Sequence, residues 1–336
     1  MVTPEETVPE ERVPHAAVPG EDAPDLTAGG GLAADEARVA AFRERNGLAA
    51  LIDIHVHFMP ARLLAAVQAY FDGAGPLIGR PWPIAYRQDE DARVAILRRF
   101  GVRAFTAMLY PHKPGMARSL NDWAAGFAAR VPECIHTATL FAEPSAAADV
   151  ARAIGQGARA FKCHLQVGDF DPNDPRLDAA WGLLAEAGIP VVTHCGSGPV
   201  PGRFTGPGPV AALLARHPRL RLVIAHLGMP EYARFLDLAE RYPGVLLDTT
   251  LAFTPWVEQG WSSFPPAQLP RLAALGDRVL LGTDFPNIPH PYPEALESLE
   301  RTGLGPRWLR AVCHDNAARL LGDYLIRPRP TAGVYE

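Results

Sequence analysis

The segment LIDIHVH at residues 51–57 suggests the fold, because it has the character of a short buried strand that ends in polar side chains. Its Leu, Ile and Val residues suit a strand covered on both faces, which is typical of parallel sheets. Stretches with helical periodicity separate it from similar strand-like segments further along the chain. These segments lie at residues 102–109, 135–141, 158–164, 189–194, 220–226, 245–249 and 279–284.

Eight strand–helix units favour the α/β class and a closed (β/α)8 barrel, the TIM barrel. An open doubly wound sheet is the competing fold, but no G-x-G-x-x-G motif follows the first strand. We expect the barrel to occupy residues 34–325. An acidic tail rich in Pro and Gly at residues 1–33 is predicted to be disordered, and residues 326–336 form a second tail.

The composition narrows the classes of partner. The net charge is −5, so the chain lacks the basic surface expected of a nucleic-acid binder. No run of 18 apolar residues and no secretory signal are visible, which argues against a membrane span and against export. Four scattered cysteines predict free thiols in a cytoplasmic protein. The expected partner is a small-molecule substrate, and a homodimer is compatible with these features.

Polar side chains recur where the predicted strands end. His55 and His57 close the first strand, His194 the fifth, His226 the sixth and Asp284 the eighth. The carboxyl ends of barrel strands meet at the mouth where catalytic groups gather. His55 and His57 share one face, because alternate side chains of a strand point the same way. Two imidazoles on one face suit a divalent metal, with further ligands from other strands.

Each of these residues also has an ordinary interpretation when it is taken alone. His194 or His226 can be a hydrogen-bonded core histidine, and Asp284 can cap a helix. Their joint position at one mouth favours the metal site. Asp53 has the same strand parity one layer deeper, so we expect it to orient a ligand histidine. Four other histidines are interpreted as structural: His15, His136, His217 and His314.

Five motifs resemble the amidohydrolase superfamily, and more narrowly its amidohydrolase-2 branch, which includes aminocarboxymuconate-semialdehyde decarboxylase. They are HVH at 55–57, VVTHCG at 191–196, VIAHLG at 223–228, LGTDFP at 281–286 and DNAARLL at 315–321. The resemblance spans about residues 51–322. It implies a distorted TIM barrel, one or two divalent metals, and hydrolysis or non-oxidative decarboxylation of small molecules.

Carried onto this chain, the resemblance implies four metal ligands, with His226 and Asp284 as the catalytic residues. The ligands are His55, His57, His194 and Asp284. Zinc is the expected ion, with manganese or another divalent ion as the alternative. Binuclear relatives carry a carboxylated lysine near the position of Lys162. We expect one metal and an uncarboxylated Lys162.

Residues at or after the strand ends are candidates for substrate binding, although those that follow a strand can also serve loop packing. They are Lys162, His164, His112 and Trp256. Lys162 can also pair with a neighbouring acid. The predicted function is a metal-dependent hydrolase that attacks a small carbonyl compound, a lactone, ester or amide, with metal-activated water. A metal-dependent decarboxylase is the alternative, and a non-catalytic binding protein is a third interpretation that the complete ligand set disfavours.

Overall fold

The computed structural model describes residues 29–322. Most of the predicted N-terminal tail and all of the predicted C-terminal tail lie outside these residues. Helix α1 begins at Gly29 and ends at Arg45, so it spans the predicted boundary at residue 34. Leu32 packs against the core in the first turns of this helix. Further along α1, Arg38 donates to both carboxylate oxygens of Glu297, at 3.0 and 2.7 Å.

The described residues form nine strands, all paired in parallel. One sheet has the order β1-β2-β3 and the other runs from β4 to β9 in sequence order. The strands are β1 Leu51–Asp53, β2 Val102–Thr106, β3 Cys134–Ile135, β4 Thr137–Thr139, β5 Ala160–His164, β6 Val191–His194, β7 Leu222–Ile224, β8 Val245–Asp248 and β9 Val279–Leu280.

The two sheets together form one barrel. β3 and β4 are a single barrel strand interrupted at His136, since β3 pairs with β2 and β4 pairs with β5. At the other seam, Ile54 N donates to Leu281 O at 2.9 Å and Asp284 N donates to His55 O at 2.8 Å. These bonds join the end of β9 to the end of β1. The predicted TIM barrel is confirmed, and the third predicted strand is shorter than its apolar run.

Helices connect the strands around the outside. They are α1 Gly29–Arg45, α2 Ala61–Gly73, α3 Gly75–Ile78, α4 Glu90–Arg99, α5 Ala117–Arg130, α6 Ala146–Gly155, α7 Leu165–Gly168, α8 Asp178–Ala187, α9 Pro207–Arg216, α10 Tyr232–Arg241, α11 Pro255–Glu258, α12 Leu269–Ala274, α13 Tyr292–Arg301, α14 Gly305–Arg310 and α15 Asn316–Leu321. None of the described helices combines the length and apolarity that crossing a membrane requires.

Apolar side chains fill the interior of the barrel, and a helix packs against them at one end. Ile52, Ala104, Val192 and Leu280 are among the buried residues of this inner cluster. Ala317 of α15 belongs to the same cluster, and Ala318, Leu320 and Leu321 pack against it. Helix α15 therefore covers one end of the barrel. All four cysteines are buried and none forms a disulfide, as the sequence predicts.

Candidate metal centre

Three candidate ligand atoms converge where β1 and β9 end. One ring nitrogen each from His55 and His57 and one oxygen of Asp284 lie within 4.8 Å of one another. Oδ1 of Asp284 is 2.9 Å from Nε2 of His57 and 3.2 Å from Nε2 of His55. We call these three residues the donor cluster. Two imidazoles and one carboxylate form a ligand set that zinc and related divalent ions accept.

The second nitrogen of each ring is also engaged. Nδ1 of His55 donates to Oδ2 of Asp248 at 2.8 Å, and Nδ1 of His57 donates to the carbonyl oxygen of Met108 at 3.1 Å. These tautomers are assigned from the hydrogen-bond partners. Metal-binding histidines have such a partner on the nitrogen that does not bind the ion. Both Nε2 atoms thus keep a lone pair that points toward Asp284, and the donor cluster fits a divalent ion.

Asp248 is the functional residue that the sequence analysis missed. Its Oδ1 accepts from the backbone N–H of His226 at 2.9 Å and of Thr250 at 3.0 Å. Burial raises the pKa of Asp248, but His55 and His226 outweigh burial and bring the pKa below its ordinary value. An ionised carboxylate therefore holds the His55 ring. The available signal was a lone acidic residue within the apolar segment 245–249.

Asp53 does not orient a ligand ring, which corrects the role expected for it. It accepts from the backbone N–H of His55 at 3.1 Å and from the hydroxyl groups of Thr283 at 2.6 Å and Tyr292 at 3.0 Å. Burial raises the pKa of Asp53 to about 7. Its contacts fix the backbone of β1 and the turn before Asp284, while Asp248 holds the ring of His55.

Lys162 lies directly beside the donor cluster. Its Nζ is 2.9 Å from Nε2 of His55, and its side chain is buried. Burial lowers the pKa of Lys162, although the carboxylates of Asp284 and Asp248 oppose this effect. The ammonium donates to the same lone pair of His55 that a metal ion would use. The cation and the metal therefore compete for one nitrogen.

His194 and His226 form a second imidazole pair at the same mouth. Nδ1 of His194 is 3.1 Å from Nε2 of His226. His194 Nε2 donates to Gly198 O at 3.1 Å and His226 Nδ1 donates to Thr250 O at 3.3 Å. The facing nitrogens are then both acceptors, an arrangement that a proton or a cation between them relieves. His194 lies outside the donor cluster, so its role as a fourth ligand stays a prediction.

Burial and neighbouring charges keep the two histidines neutral and Asp284 ionised. Burial lowers the pKa of His226 to about 4 and that of His194 well below its ordinary value. For Asp284, burial raises the pKa, but the neighbouring rings of His55, His57 and His226 outweigh burial. The pKa of Asp284 therefore lies well below its usual range. At neutral pH the mouth presents the carboxylate of Asp284 together with the uncharged imidazoles of His194 and His226.

The backbone at the mouth adopts conformations that aim these side chains inward. His226 has φ 57° and Asp284 has φ 69°, in the left-handed region that disfavours most residues. Gly282 allows β1 and β9 to approach closely. A Cβ at this position would lie 2.8 Å from Cβ of His55 and 3.3 Å from Cγ of Asp248. Only glycine leaves room for the Asp248–His55 pair at its present position.

A cavity of about 550 Å³ opens above the donor cluster. Three of the predicted substrate-binding residues line it, namely Lys162, His164 and His112. His164 stacks on His194, with ring centroids 4.2 Å apart. His194 and His226 also line the cavity, so the structure brings the predicted site residues together with one exception, described next.

Trp256 does not line the cavity, which corrects its predicted substrate contact. Its ring packs edge-on against Trp82, with ring centroids 4.6 Å apart. The guanidinium of Arg80 lies over the ring of Trp256, 4.4 Å from its centroid. Trp82 does line the cavity. Trp256 therefore supports the residue that faces the substrate. The packing partner is remote in sequence, so the local loop pattern could not reveal this arrangement.

Comparisons with known proteins agree with this geometry. The family model for amidohydrolases, of the amidohydrolase-2 branch, matches residues 52–322. The chain belongs to the amidohydrolase family, as its motifs predict. No curated protein matches the chain.

Several solved structures share the fold. An uncharacterized TIM-barrel protein from Bordetella bronchiseptica is 20% identical with a TM-score of 0.65, and the match covers 82% of this chain and 99% of that one. A candidate 2-pyrone-4,6-dicarboxylic acid hydrolase from Pseudomonas putida is 20% identical with a TM-score of 0.54, covering 81% and 97%. The 5-carboxyvanillate decarboxylase of Novosphingobium aromaticivorans, complexed with manganese and 4-hydroxy-3-methoxy-5-nitrobenzoic acid, is 14% identical with a TM-score of 0.54, covering 81% and 96%. At these identities the likeness establishes the fold, while the reaction has to be argued from the site.

Proposed function

We propose that this protein is a metal-dependent hydrolase that opens a lactone, ester or amide of a small molecule. The observation that carries the proposal is an ionised Asp284 whose Oδ1 faces two histidine nitrogens at the floor of the cavity. A divalent ion held by the donor cluster supplies Lewis acidity and a water of lowered pKa. His194 is the proposed fourth ligand.

The residues around the ion have separable tasks. Oδ1 of Asp284 faces both imidazoles, so Oδ2 is the oxygen proposed to take the proton of the attacking water and pass it to the leaving group. His226 is neutral and its Nε2 is an acceptor while Nδ1 donates to Thr250. It donates to the oxygen of the attacked carbonyl only after it has taken up a proton. Asp248 keeps the His55 ring in one tautomer.

We propose one metal ion, with zinc favoured by the His and carboxylate ligands and manganese as the alternative. Lys162 is proposed to remain uncarboxylated and to bind the substrate or His55, because its Nζ already contacts the His55 ring. Intact mass measurement under native conditions tests this. Additional mass equal to one carbon dioxide, lost on acidification, contradicts it and favours a binuclear centre.

The test of the reaction is a product assay on zinc- or manganese-loaded protein. Lactones, aryl esters and amides are offered in parallel with aromatic and unsaturated carboxylic acids. Ring opening or ester cleavage with release of one proton per turnover supports the hydrolase. Release of carbon dioxide without an added oxidant supports decarboxylation instead. The buried Lys162 ammonium is the observation that favours this second candidate, since it can bind a carboxylate.

Localisation and assembly are proposals of the same kind. Four buried cysteines that form no disulfide support a reducing cytoplasmic environment. A homodimer is proposed as the assembly to be tested by light scattering. The acidic net charge supports the absence of nucleic-acid binding, and no membrane partner is proposed.

A further inference from the structure

Helix α2 turns an apolar face toward the cavity. Its residues Leu63, Ala66, Val67, Tyr70 and Phe71 recur at the spacing that places side chains on one side of a helix, and all five line the cavity. We call this surface the α2 face. Leu64 is the buried residue of this helix, whereas the ring of Tyr70 is 53% exposed. An apolar helix face that is open to a cavity implies an apolar occupant, because water solvates it poorly.

Apolar residues also line other parts of the cavity. Val167, Pro199, Met229 and Leu251 line it, and Trp82 lies beside the α2 face. Tyr70, Leu77 and Val167 are the large exposed hydrophobic residues in the described part of the chain, and two of them line this cavity. Exposed apolar surface concentrated at one cavity is typical of a binding site.

Within the described part of the chain, the residues that line the cavity offer no cationic partner for an anionic group of the substrate away from the floor. Among the described residues that line the cavity there is no arginine, and Lys162 is the one lysine. Its Nζ already lies 2.9 Å from the ring of His55, at the floor. A carboxylate held against the α2 face would lie among apolar side chains without a cationic partner, which is unfavourable.

We propose that the substrate carries an uncharged apolar group, an alkyl chain or an aryl ring, which lies on the α2 face while the carbonyl reaches the donor cluster. The proposal rests on the proposed hydrolase function and adds the chemical class of the group next to the scissile bond. The α2 face is the specificity surface, and the donor cluster is common to any substrate.

Binding of straight-chain hydroxamic acids to the zinc-loaded protein tests this without requiring turnover. The hydroxamate group binds the metal and the chain probes the α2 face. From the acetic to the octanoic member we expect affinity by titration calorimetry to rise about fourfold per methylene, the ordinary value for transfer from water to an apolar site. The eight-carbon analogue with a terminal carboxylate should bind at least about tenfold more weakly than its uncharged counterpart.

Variants locate the effect on the helix. Val67→Asn on the α2 face should reduce the gain per methylene, whereas Ala69→Asn places the same side chain on an exposed position of α2 outside the cavity and should leave it unchanged. Tyr70→Ser, at an exposed position, provides a second variant whose folding is not at risk. Circular dichroism confirms that each variant is folded.

The outcomes separate this inference from the proposed reaction. A rise in affinity with chain length in a protein that cleaves no ester, lactone or amide supports the apolar site and rejects the hydrolase. Hydrolysis at rates independent of chain length, together with flat hydroxamate affinities, retains the hydrolase and overturns the apolar site. Undetectable binding of every member, or tighter binding of the terminal carboxylate, also overturns it.

Discussion

The donor cluster and the α2 face line the same cavity but are held in place by different forces. His55, His57 and Asp284 are fixed by hydrogen bonds from several strands, and the partner of each ring is itself fixed. The α2 face consists of apolar side chains that have no polar partner and belong to a connection after β1. The proposed catalytic residues are thus held by the strands of the barrel, whereas the proposed specificity residues lie on a helix. Residues of that helix can change without disturbing the proposed metal ligands.

The largest effect is expected when the donor cluster loses its ion or a ligand. Dialysis against a chelator should abolish hydrolysis, and zinc or manganese should restore it. His57→Ala should lose metal and activity together, because the remaining ligands cannot hold the ion well. Elemental analysis and activity assays measure both. His217→Ala is the matched control, since this imidazole contacts Asp178 and does not line the cavity. Full activity of metal-free protein would contradict the metal-centre assignment.

Asp284→Asn should separate the chemical role of the carboxylate from metal binding. The amide keeps the size and one ligand oxygen but cannot accept a proton. We expect kcat to fall by at least about 10²-fold, the lower range for loss of general acid–base catalysis, with most of the metal retained. His226→Asn should likewise keep the metal and lose turnover. Wild-type kcat in Asp284→Asn would assign proton transfer to another group.

Asp248→Asn tests the support of the donor cluster and should have an intermediate effect. Loss of the charge behind His55 should weaken metal binding about 10- to 100-fold, as is usual for a residue that orients a ligand histidine. Excess metal should then recover most of the activity. Asp53→Asn is the comparison, because Asp53 contacts the His55 backbone rather than its ring. A larger loss of metal affinity in Asp53→Asn would reverse the roles assigned to the two carboxylates.

The smallest effect is expected on the α2 face. Tyr70→Ala removes an exposed ring, so the free energy of unfolding should change by no more than about 0.5 kcal/mol. KM for an apolar substrate should rise a few-fold while kcat and metal content stay constant. Thermal melts and steady-state kinetics measure these quantities. A fall in kcat without a change in KM would place Tyr70 in the chemistry of the floor.

The parts of this molecule that the sequence predicts are those encoded by local pattern. Short apolar runs that end in His or Asp identify the strands and their open ends, since strand parity and barrel closure then place His55, His57 and Asp284 together. The sequence does not single out Asp248, because its role depends on a hydrogen bond with His55, which is 193 positions away. Pairings of that kind require the three-dimensional arrangement of the strands.

Two other differences have related causes. The helical spacing of the α2 face is present in residues 61–73. A prediction that follows the strand ends does not single out this spacing, because this helix lies in the connection before the second strand. Trp256 follows a strand end, as a substrate-binding residue would, but its ring is directed by packing against Trp82 and Trp261. Strand ends predict which residues are near the mouth, whereas the direction of a loop side chain depends on its tertiary neighbours.

The left-handed backbone of His226 and Asp284 has a consequence for how the protein can change over generations. Each such residue costs about 1 kcal/mol relative to an ordinary conformation, and glycine would relieve that cost. At these two of the described non-glycine positions with positive φ, the substitution that relieves the backbone also removes a proposed catalytic group. Selection for heat resistance alone, with no demand for turnover, should enrich glycine at both positions and yield a sturdier but inactive barrel.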